Sequence, residues 1–299
     1  MSDTMLHPDP GPAEPLASSA ALAHEWAQQS CRHDEQGCSC SAYHGFWQVM
    51  RLLQLGATLG GHPEHYRAAM RRWAERPCAH GQARRVLISG CADYSMLAHL
   101  WHCIGPEDAL EVTVLDICPT PLRLNEWYAQ RLGRALQTVC SDILAYRPPT
   151  GFDLIVTSSF LGFFDPQQRP ELFRRWRRLL RADGWLVSSN RLRAQPEHMA
   201  VGFTADQATQ LADTVKQRRA SLPASVALDT AQLDTLALAF AAQMRSYPVA
   251  STASIETLAT DAGLRVVACD TLQSAPMARS ISGPTLGDGS RYAFFVLQR

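Results

Sequence analysis

The clearest chemistry in this chain is an apolar run that ends in a small-residue loop, with an acid at the end of the next apolar run. Val86-Leu87-Ile88-Ser89 leads into Gly90-Cys91-Ala92-Asp93-Tyr94, and Val112-Thr113-Val114-Leu115 leads into Asp116-Ile117-Cys118-Pro119. Each reads as a β-branched strand that gives way to a helix. Two such junctions in succession define a parallel α/β sheet whose ligand crevice lies at the strand C-termini. Asp116, at the second of those ends, is placed to accept hydrogen bonds from both hydroxyls of a ribose. The pairing points to a nucleoside-bearing ligand.

Nine cysteines raise a second chemistry. Cys31, Cys38 and Cys40, with His33 and His44 nearby, form a local cluster. Structural zinc usually takes paired short spacings, and this spacing is not one of them. The other cysteines considered (Cys91, Cys103, Cys118, Cys140, Cys269) fall inside expected strands, helices and their junctions, which favours reduced thiols in a cytoplasmic protein. The expectation is therefore buried or surface thiols and no metal.

Positioning these residues requires an alternating core. Strands are expected at Val86–Ser89, Val112–Leu115, Leu136–Cys140, Leu154–Thr157, Trp185–Ser188, Leu264–Asp270 and Tyr292–Leu297. Helices are expected between them, including one over 168–180 with Leu172, Trp176 and Leu179 toward the sheet and Arg174, Arg175, Arg177, Arg178 and Arg181 away from it. Gly287-Asp288-Gly289-Ser290 before the last strand predicts an antiparallel return. Ahead of the core, Tyr43, Phe46, Trp47, Met50 and Leu53 form one apolar helical stripe that stops at Gly56, and a further helix follows over 62–75. Thr204-Ala205-Asp206-Gln207 reads as a capping box opening an all-helical insertion at about 195–250. The divisions are a disordered tail over 1–20, a helical cap over 21–80, and a core over 81–299 that carries the insertion.

Composition narrows the classes. With 28 basic and 28 acidic residues the chain carries no net charge, which argues against a nucleic-acid binder. No apolar run is long enough to span a bilayer. Met1–Pro15 is polar, holds four prolines and lacks the order of a secretory signal. The expected partner is a small molecule; the oligomeric state is open.

In order and spacing, these elements resemble the class I S-adenosylmethionine-dependent methyltransferases of small-molecule type, over about 84–190 and 251–299. Gly90 stands where that family's glycine-rich loop begins, Asp116 at the ribose acid, and Ser141-Asp142-Ile143 where the adenine is met. Phe152-Asp153-Leu154-Ile155-Val156 through Leu186-Val187 matches the family's fourth strand, helix and fifth strand, with Gly184 as the helix stop. The resemblance implies a Rossmann-like, mostly parallel sheet of seven strands with one antiparallel strand, plus the cap and an inserted lid. It also implies S-adenosylmethionine as cofactor. The chain departs from the family's glycine-x-glycine-x-glycine loop, since Ala92 and Tyr94 stand at the later glycine positions. The family's acid on the first strand is absent, with Ile88 and Ser89 there instead. A dinucleotide loop is absent too, because only one glycine of G-x-G-x-x-G is present.

The implied cofactor contacts are Gly90, Cys91, Ala92, Asp93, Tyr94, Asp116, Ile117, Ser141, Asp142, Ile143, Ser158, Ser159 and Phe160. Asp93 is a candidate for the cofactor's ammonium. Tyr94 either lies against the sulfonium or packs inward as the start of a helix. On the cap, Tyr43 and His44 are candidate catalytic groups, His44 because its pKa lies near neutrality. Trp47 and Arg51 of the cap, Asn190 and Arg191 at the fifth strand's end, and Tyr247 at the insertion's return are candidate substrate contacts. Three functions remain open. The first is methyl transfer to a small molecule, in secondary metabolism. The second is cyclisation of the cofactor's own methionine part to azetidine-2-carboxylate and methylthioadenosine. The third is a non-catalytic cofactor-binding partner.

Overall fold

The computed structural model describes residues 11–31, 40–56, 58–77, 83–105, 109–273 and 291–299. Its strands are β1 (Arg84–Ser89), β2 (Leu110–Asp116), β3 (Gln137–Cys140), β4 (Phe152–Ser158), β5 (Leu180–Leu192), the short β6 (Val201–Gly202) and β7 (Arg245–Ser246), β8 (Arg265–Gln273) and β9 (Arg291–Gln298). Seven of them form one sheet in the order β3-β2-β1-β4-β5-β9-β8. Strands β1 to β5 are mutually parallel, and β9 runs antiparallel between β5 and β8. The expected Rossmann-like class I methyltransferase architecture is therefore present. The order reverses between β1 and β4, so the crevice where such sheets bind ligands opens at the C-terminal ends of these two strands, with the end of β2 beside it. The turn expected at Gly287–Ser290 lies outside the described residues.

Alternation along each strand divides the core in two. Val86 and Ile88 of β1, Val112 and Val114 of β2, and Val187 of β5 pack on one face with α3 (Pro63–Ala74), α4 (Ser95–Cys103) and α5 (Pro119–Arg131). Leu87, Leu115 and Leu186 pack on the other with α6 (Arg169–Leu179) and α9 (Thr252–Asp261). Leu172, Trp176 and Leu179 face that sheet as expected. Two expectations for this segment are corrected. Arg175 is buried, because its Nη2 donates to the Leu144 carbonyl at 2.8 Å. Gly184 does not stop the helix, which ends at Leu179. It sits in β5 at a register irregularity opposite β4, where a Cβ would come within 3.0 Å of the Arg181 and Phe152 carbonyl oxygens.

The remaining helices are α1 (Leu16–Ser30), α2 (Ser41–Leu52), α7 (Ala205–Arg218) and α8 (Thr230–Gln243). The cap does not behave as one unit. Tyr66, Met70 and Trp73 of α3 join the sheet's core, whereas the stripe on α2 buries Phe46, Val49, Met50 and Leu53 against Leu211 and Val215 of α7 and Leu233, Ala237 and Phe240 of α8. Each such fully buried side chain contributes about 1.5–3 kcal/mol of hydrophobic stabilisation. The insertion opens on the expected capping box at Thr204 and Gln207, but it is not all helix, because β6 and β7 pair to tie its ends. The tail expected over 1–20 is corrected where it is described: α1 begins at Leu16, and Glu14 is ion-paired to Arg51. Among the described residues no helix is long and apolar enough to cross a membrane.

Candidate functional site

The β1–α4 loop and the end of β2 are joined through Asp116. Its Oδ2 accepts from the Cys91 backbone N–H at 2.9 Å, and its Oδ1 accepts from the Cys118 N–H at 2.8 Å. Each oxygen keeps capacity for a further donor, which is what a diol requires. Burial pushes the Asp116 pKa up, outweighing the opposing pull of His44 and of the two N–H groups. Gly90 has φ +66°, and a Cβ there would lie 2.3 Å from the Phe160 ring, so both the backbone conformation and the close approach of that ring require glycine at the end of β1. Ile117, beside Asp116, exposes 62% of its surface and presents an apolar face to the crevice side.

The adenine-side candidates separate. Ser141 is half-buried, and its N–H donates to the Asp116 carbonyl at 3.0 Å. Asp142 is exposed, its Oδ1 accepting from the Leu144 N–H at 2.8 Å. The Ile143 side chain packs in the core with Leu115 and Ile155, which leaves only its backbone for the expected contact.

Two loop residues and one cap residue have other duties. Asp93 is buried and accepts from Arg51 Nη1 at 2.8 Å and from the Ser95 N–H at 2.9 Å. Arg51 Nη2 donates to Glu14 Oε2 at 2.6 Å, so one guanidinium bridges two carboxylates with almost no water around it. Burial alone would raise the Asp93 pKa; the Arg51 charge and the hydrogen bonds lower it below the ordinary carboxylate value. Glu14 goes the other way, raised by burial despite Arg51. Asp93 and Arg51 thus already hold each other within the protein. Tyr94 takes the inward alternative: it is wholly buried, stacks on Tyr128 with ring centroids 4.6 Å apart, and lies 2.9 Å by its hydroxyl from Ser19 Oγ.

Helix α2 brings Tyr43, His44 and Trp47 over this loop. The Tyr43 ring stacks on Trp47 and on Phe240 of α8, each at 5.9 Å, and its N–H donates to Gln243 at 3.1 Å. Burial, with the charges of Asp93 and Asp116 nearby, pushes the phenol pKa up, so it stays neutral. His44 is buried, and its Nδ1 has no hydrogen-bond partner. Burial lowers its pKa, but Cys118, Asp116 and the Ala92 carbonyl together raise it above the ordinary value.

The ends of β4 and β5 close the other side. Ser158 and Phe160 are half-buried, and Ser159 adopts φ +54° with its N–H on the Ser189 carbonyl at 2.7 Å. Asn190 is buried with Oδ1 unpartnered, and Arg191 beside it has its pKa lowered by burial. Tyr247 is fixed through its backbone, its N–H donating to the Gly162 carbonyl at 2.8 Å. A residue the sequence did not single out, Tyr66, donates to the Thr157 carbonyl at 2.7 Å and accepts from Ser189 Oγ at 2.9 Å, pinning the β4 and β5 ends together. Glu14, Phe240 and Gln243 were missed as well, since each is distant in sequence from what it touches.

The described cysteines are free thiols, and three of them form a group that the sequence did not suggest. Cys31, Cys40 and Cys118 converge, with Cys118 Sγ lying 3.5 Å from Cys40 Sγ and 3.6 Å from Cys31 Sγ. Spacing within 31–40 gave no sign of this because the third member comes from the β2–α5 junction. Cys38 lies outside the described residues.

Residues 86–184 match the family model of a methyltransferase domain. No curated protein gives a significant match. The solved 1,6-didemethyltoxoflavin-N1-methyltransferase of Burkholderia thailandensis, bound to 1,6-didemethyltoxoflavin and S-adenosylhomocysteine, is similar at TM-score 0.53 and 17% identity, over 97% of this chain and 92% of that one. The N-methyltransferase NodS of Bradyrhizobium japonicum WM9 is similar at TM-score 0.45 and 15% identity, over 79% of this chain and 86% of that one. At such identities the likeness speaks for the fold alone.

Proposed function

We propose that this chain, whose residues 86–184 match a methyltransferase-domain model and whose sheet has the fold of an S-adenosylmethionine-dependent methyltransferase, transfers that cofactor's methyl group to a small molecule held beneath α2 and α8. The observation that carries this reading is the enclosure of Tyr43. Its ring is stacked on α8 while its phenol lies in the field of Asp116 and Asp93, so the cap, the insertion and the crevice meet at one residue.

S-adenosylmethionine supplies a methyl carbon made electrophilic by positive sulfur. The chain's task is to orient and to exclude water. Asp116 accepts from the ribose diol, Ile117 flanks the base, and Asp142 offers an acceptor to its amino group. Aromatic faces of Trp47 and Phe160 suit a cation. Asn190, with its unpartnered Oδ1, is the acceptor-side group. Asp93 is tied to Arg51 and Tyr43 stays neutral, so neither serves as a base, which leaves His44 as the one candidate base on the cap.

The same aromatic enclosure supports a second reading, in which the cofactor's own amino group attacks its γ-carbon. The carbon–sulfur bond then breaks, methylthioadenosine leaves, and the ammonium proton passes to water. Incubating the protein with S-adenosylmethionine alone, then with candidate metabolites, and weighing the nucleoside product tests both readings. Adenosylhomocysteine formed only with an acceptor supports the first, and methylthioadenosine from the cofactor alone replaces it with the second. Neither product, with binding intact, leaves a non-catalytic cofactor-binding protein and overturns both.

A further inference from the structure

Three helix ends meet beside the ribose acid. Cys31 follows the last residue of α1, Cys40 is the N-cap of α2, and Cys118 is the N-cap of α5. Their sulfurs all lie within 4.8 Å of one another, with the two Cys118 separations at 3.5 and 3.6 Å. A zinc ion with sulfurs at about 2.3 Å in tetrahedral geometry sets its sulfurs about 3.8 Å apart, whereas a disulfide requires about 2.05 Å. The observed separations match the edges of the tetrahedron and are far too long for a bond. The N-terminal ends of α2 and α5 direct partial positive charge at Cys40 and Cys118, which favours their thiolates, whereas Cys31 sits at the C-terminal end of α1.

A fourth group lies beside Cys118. His44, one turn along α2 from Cys40, is 6% exposed and leaves Nδ1 without a partner, while its ring interacts with the Cys118 sulfur and the Ala92 carbonyl. It stands outside the 4.8 Å group of sulfurs, so a small movement of the ring is needed to bring it onto the metal. A histidine that gives one ring nitrogen to a metal commonly gives the other to a backbone carbonyl. We propose that Cys31, Cys40, Cys118 and His44 form a structural Cys3His zinc site. Zinc displaces the thiol protons to the buffer, and no redox step is involved. Four protein ligands leave no open position, so the site is a staple and not a Lewis-acid centre. It fastens α1 and α2 to the β2–α5 junction, where the Cys118 N–H also holds Asp116. The inference rests on these residues alone and stands whether or not the chain transfers a methyl group.

Elemental analysis of full-length protein purified without chelator or metal-affinity tag is the first test. The expected content is about one zinc per chain, lost in Cys118→Ser and kept in Cys269→Ser, whose thiol lies outside the cluster. The parent protein carries a second reading that does not depend on how variants fold. Stripping with a chelator should lower its melting temperature, and one equivalent of zinc should restore it. Cobalt in place of zinc should give thiolate charge-transfer absorption. His44→Cys should keep the metal, whereas His44→Ala should weaken its affinity by about 10-fold or more. A metal-free parent that shows no cobalt–thiolate bands on reconstitution overturns the site. A disulfide between any two of the three cysteines in fresh protein does the same.

Discussion

Two acids stand on neighbouring loops of one crevice and are used in opposite ways. Asp116 is held by two backbone N–H groups and no cation pairs with it directly, so its oxygens keep room for outside donors and burial raises its pKa. Asp93, on the loop after β1, spends its charge on Arg51 and its remaining capacity on Ser95. Position near a ligand site is therefore not enough to assign a carboxylate to the ligand. What its oxygens already hold decides whether it binds outward or ties the protein to itself. Here the altered loop exchanges a ligand contact for an anchor, because Asp93 is how the cap helix α2 grips the core.

The largest effect should come from removing the shared cation. Arg51→Ala takes the shared guanidinium from Asp93 and Glu14, leaving Asp93 with neutral donors only and Glu14 with Ser95 and His99, and breaking a buried pair in this way costs about 3–5 kcal/mol. Urea unfolding of the parent and variant measures it; a loss below about 1 kcal/mol would place the pair in the class of solvated surface bridges and remove the contrast with Asp116.

Asp116→Ala should act on binding instead. Losing two charge-assisted hydrogen bonds costs about 2–4 kcal/mol of cofactor affinity, roughly 30- to 1,000-fold. Calorimetric titration with S-adenosylmethionine reads this directly. Unchanged affinity would mean that the ribose is held elsewhere and that Asp116 serves only to brace Cys91 and Cys118.

The contrast also marks what was legible in the sequence. Val86–Gly90 and Asp116 were readable because a period-two apolar run followed by a small or acidic residue is a local pattern. The strands, the reversed β9 and the capping box at Thr204 were readable for the same reason. The duties of Arg51 and Asp93 were not, since a guanidinium on α2 meets an acid on the β1–α4 loop only in the folded chain. Tyr94 looked chemical because of its place in a glycine-type loop, yet a large apolar ring beside Tyr128 gains more from burial than from a ligand. Cys118 joined Cys31 and Cys40 for a reason no spacing rule within one segment could carry. The helix-period stripe on α2 was real, but periodicity names a buried face and not its partner, which proved to be α8.

Glu14 offers a smaller test of the same contrast. Its pKa is raised by burial where that of Asp93 is lowered, so Arg51 is bound mainly to Asp93 and the Glu14 charge gains little. Glu14→Gln should therefore cost less stability than Asp93→Asn, which leaves the cation short of its principal partner. Unfolding free energies of the two variants check the order. A deletion of residues 1–10 should be silent, and one reaching past Glu14 should match Glu14→Gln. Equal losses in the two point variants would mean that the guanidinium is shared evenly.

The smallest effect is the pH dependence of stability, where the two acids of the triad pull in opposite directions. Asp93 has its folded pKa below its unfolded value. Its stabilisation is present above the unfolded pKa, near 4, and is lost as pH falls through the depressed folded value. Glu14 has its folded pKa above its unfolded value, so the folded state binds its proton more tightly. The stability this gives is complete below the unfolded pKa and is lost as pH rises through the raised one. Melting temperature followed downward from neutrality should first gain slightly as Glu14 takes its proton, then fall as Asp93 does. In Glu14→Gln the early gain should vanish while the acid fall remains, and in Asp93→Asn the fall should be blunted. A parent curve unchanged by either substitution would mean that the pair titrates alike folded and unfolded, and that Arg51 holds neither acid more firmly than water does.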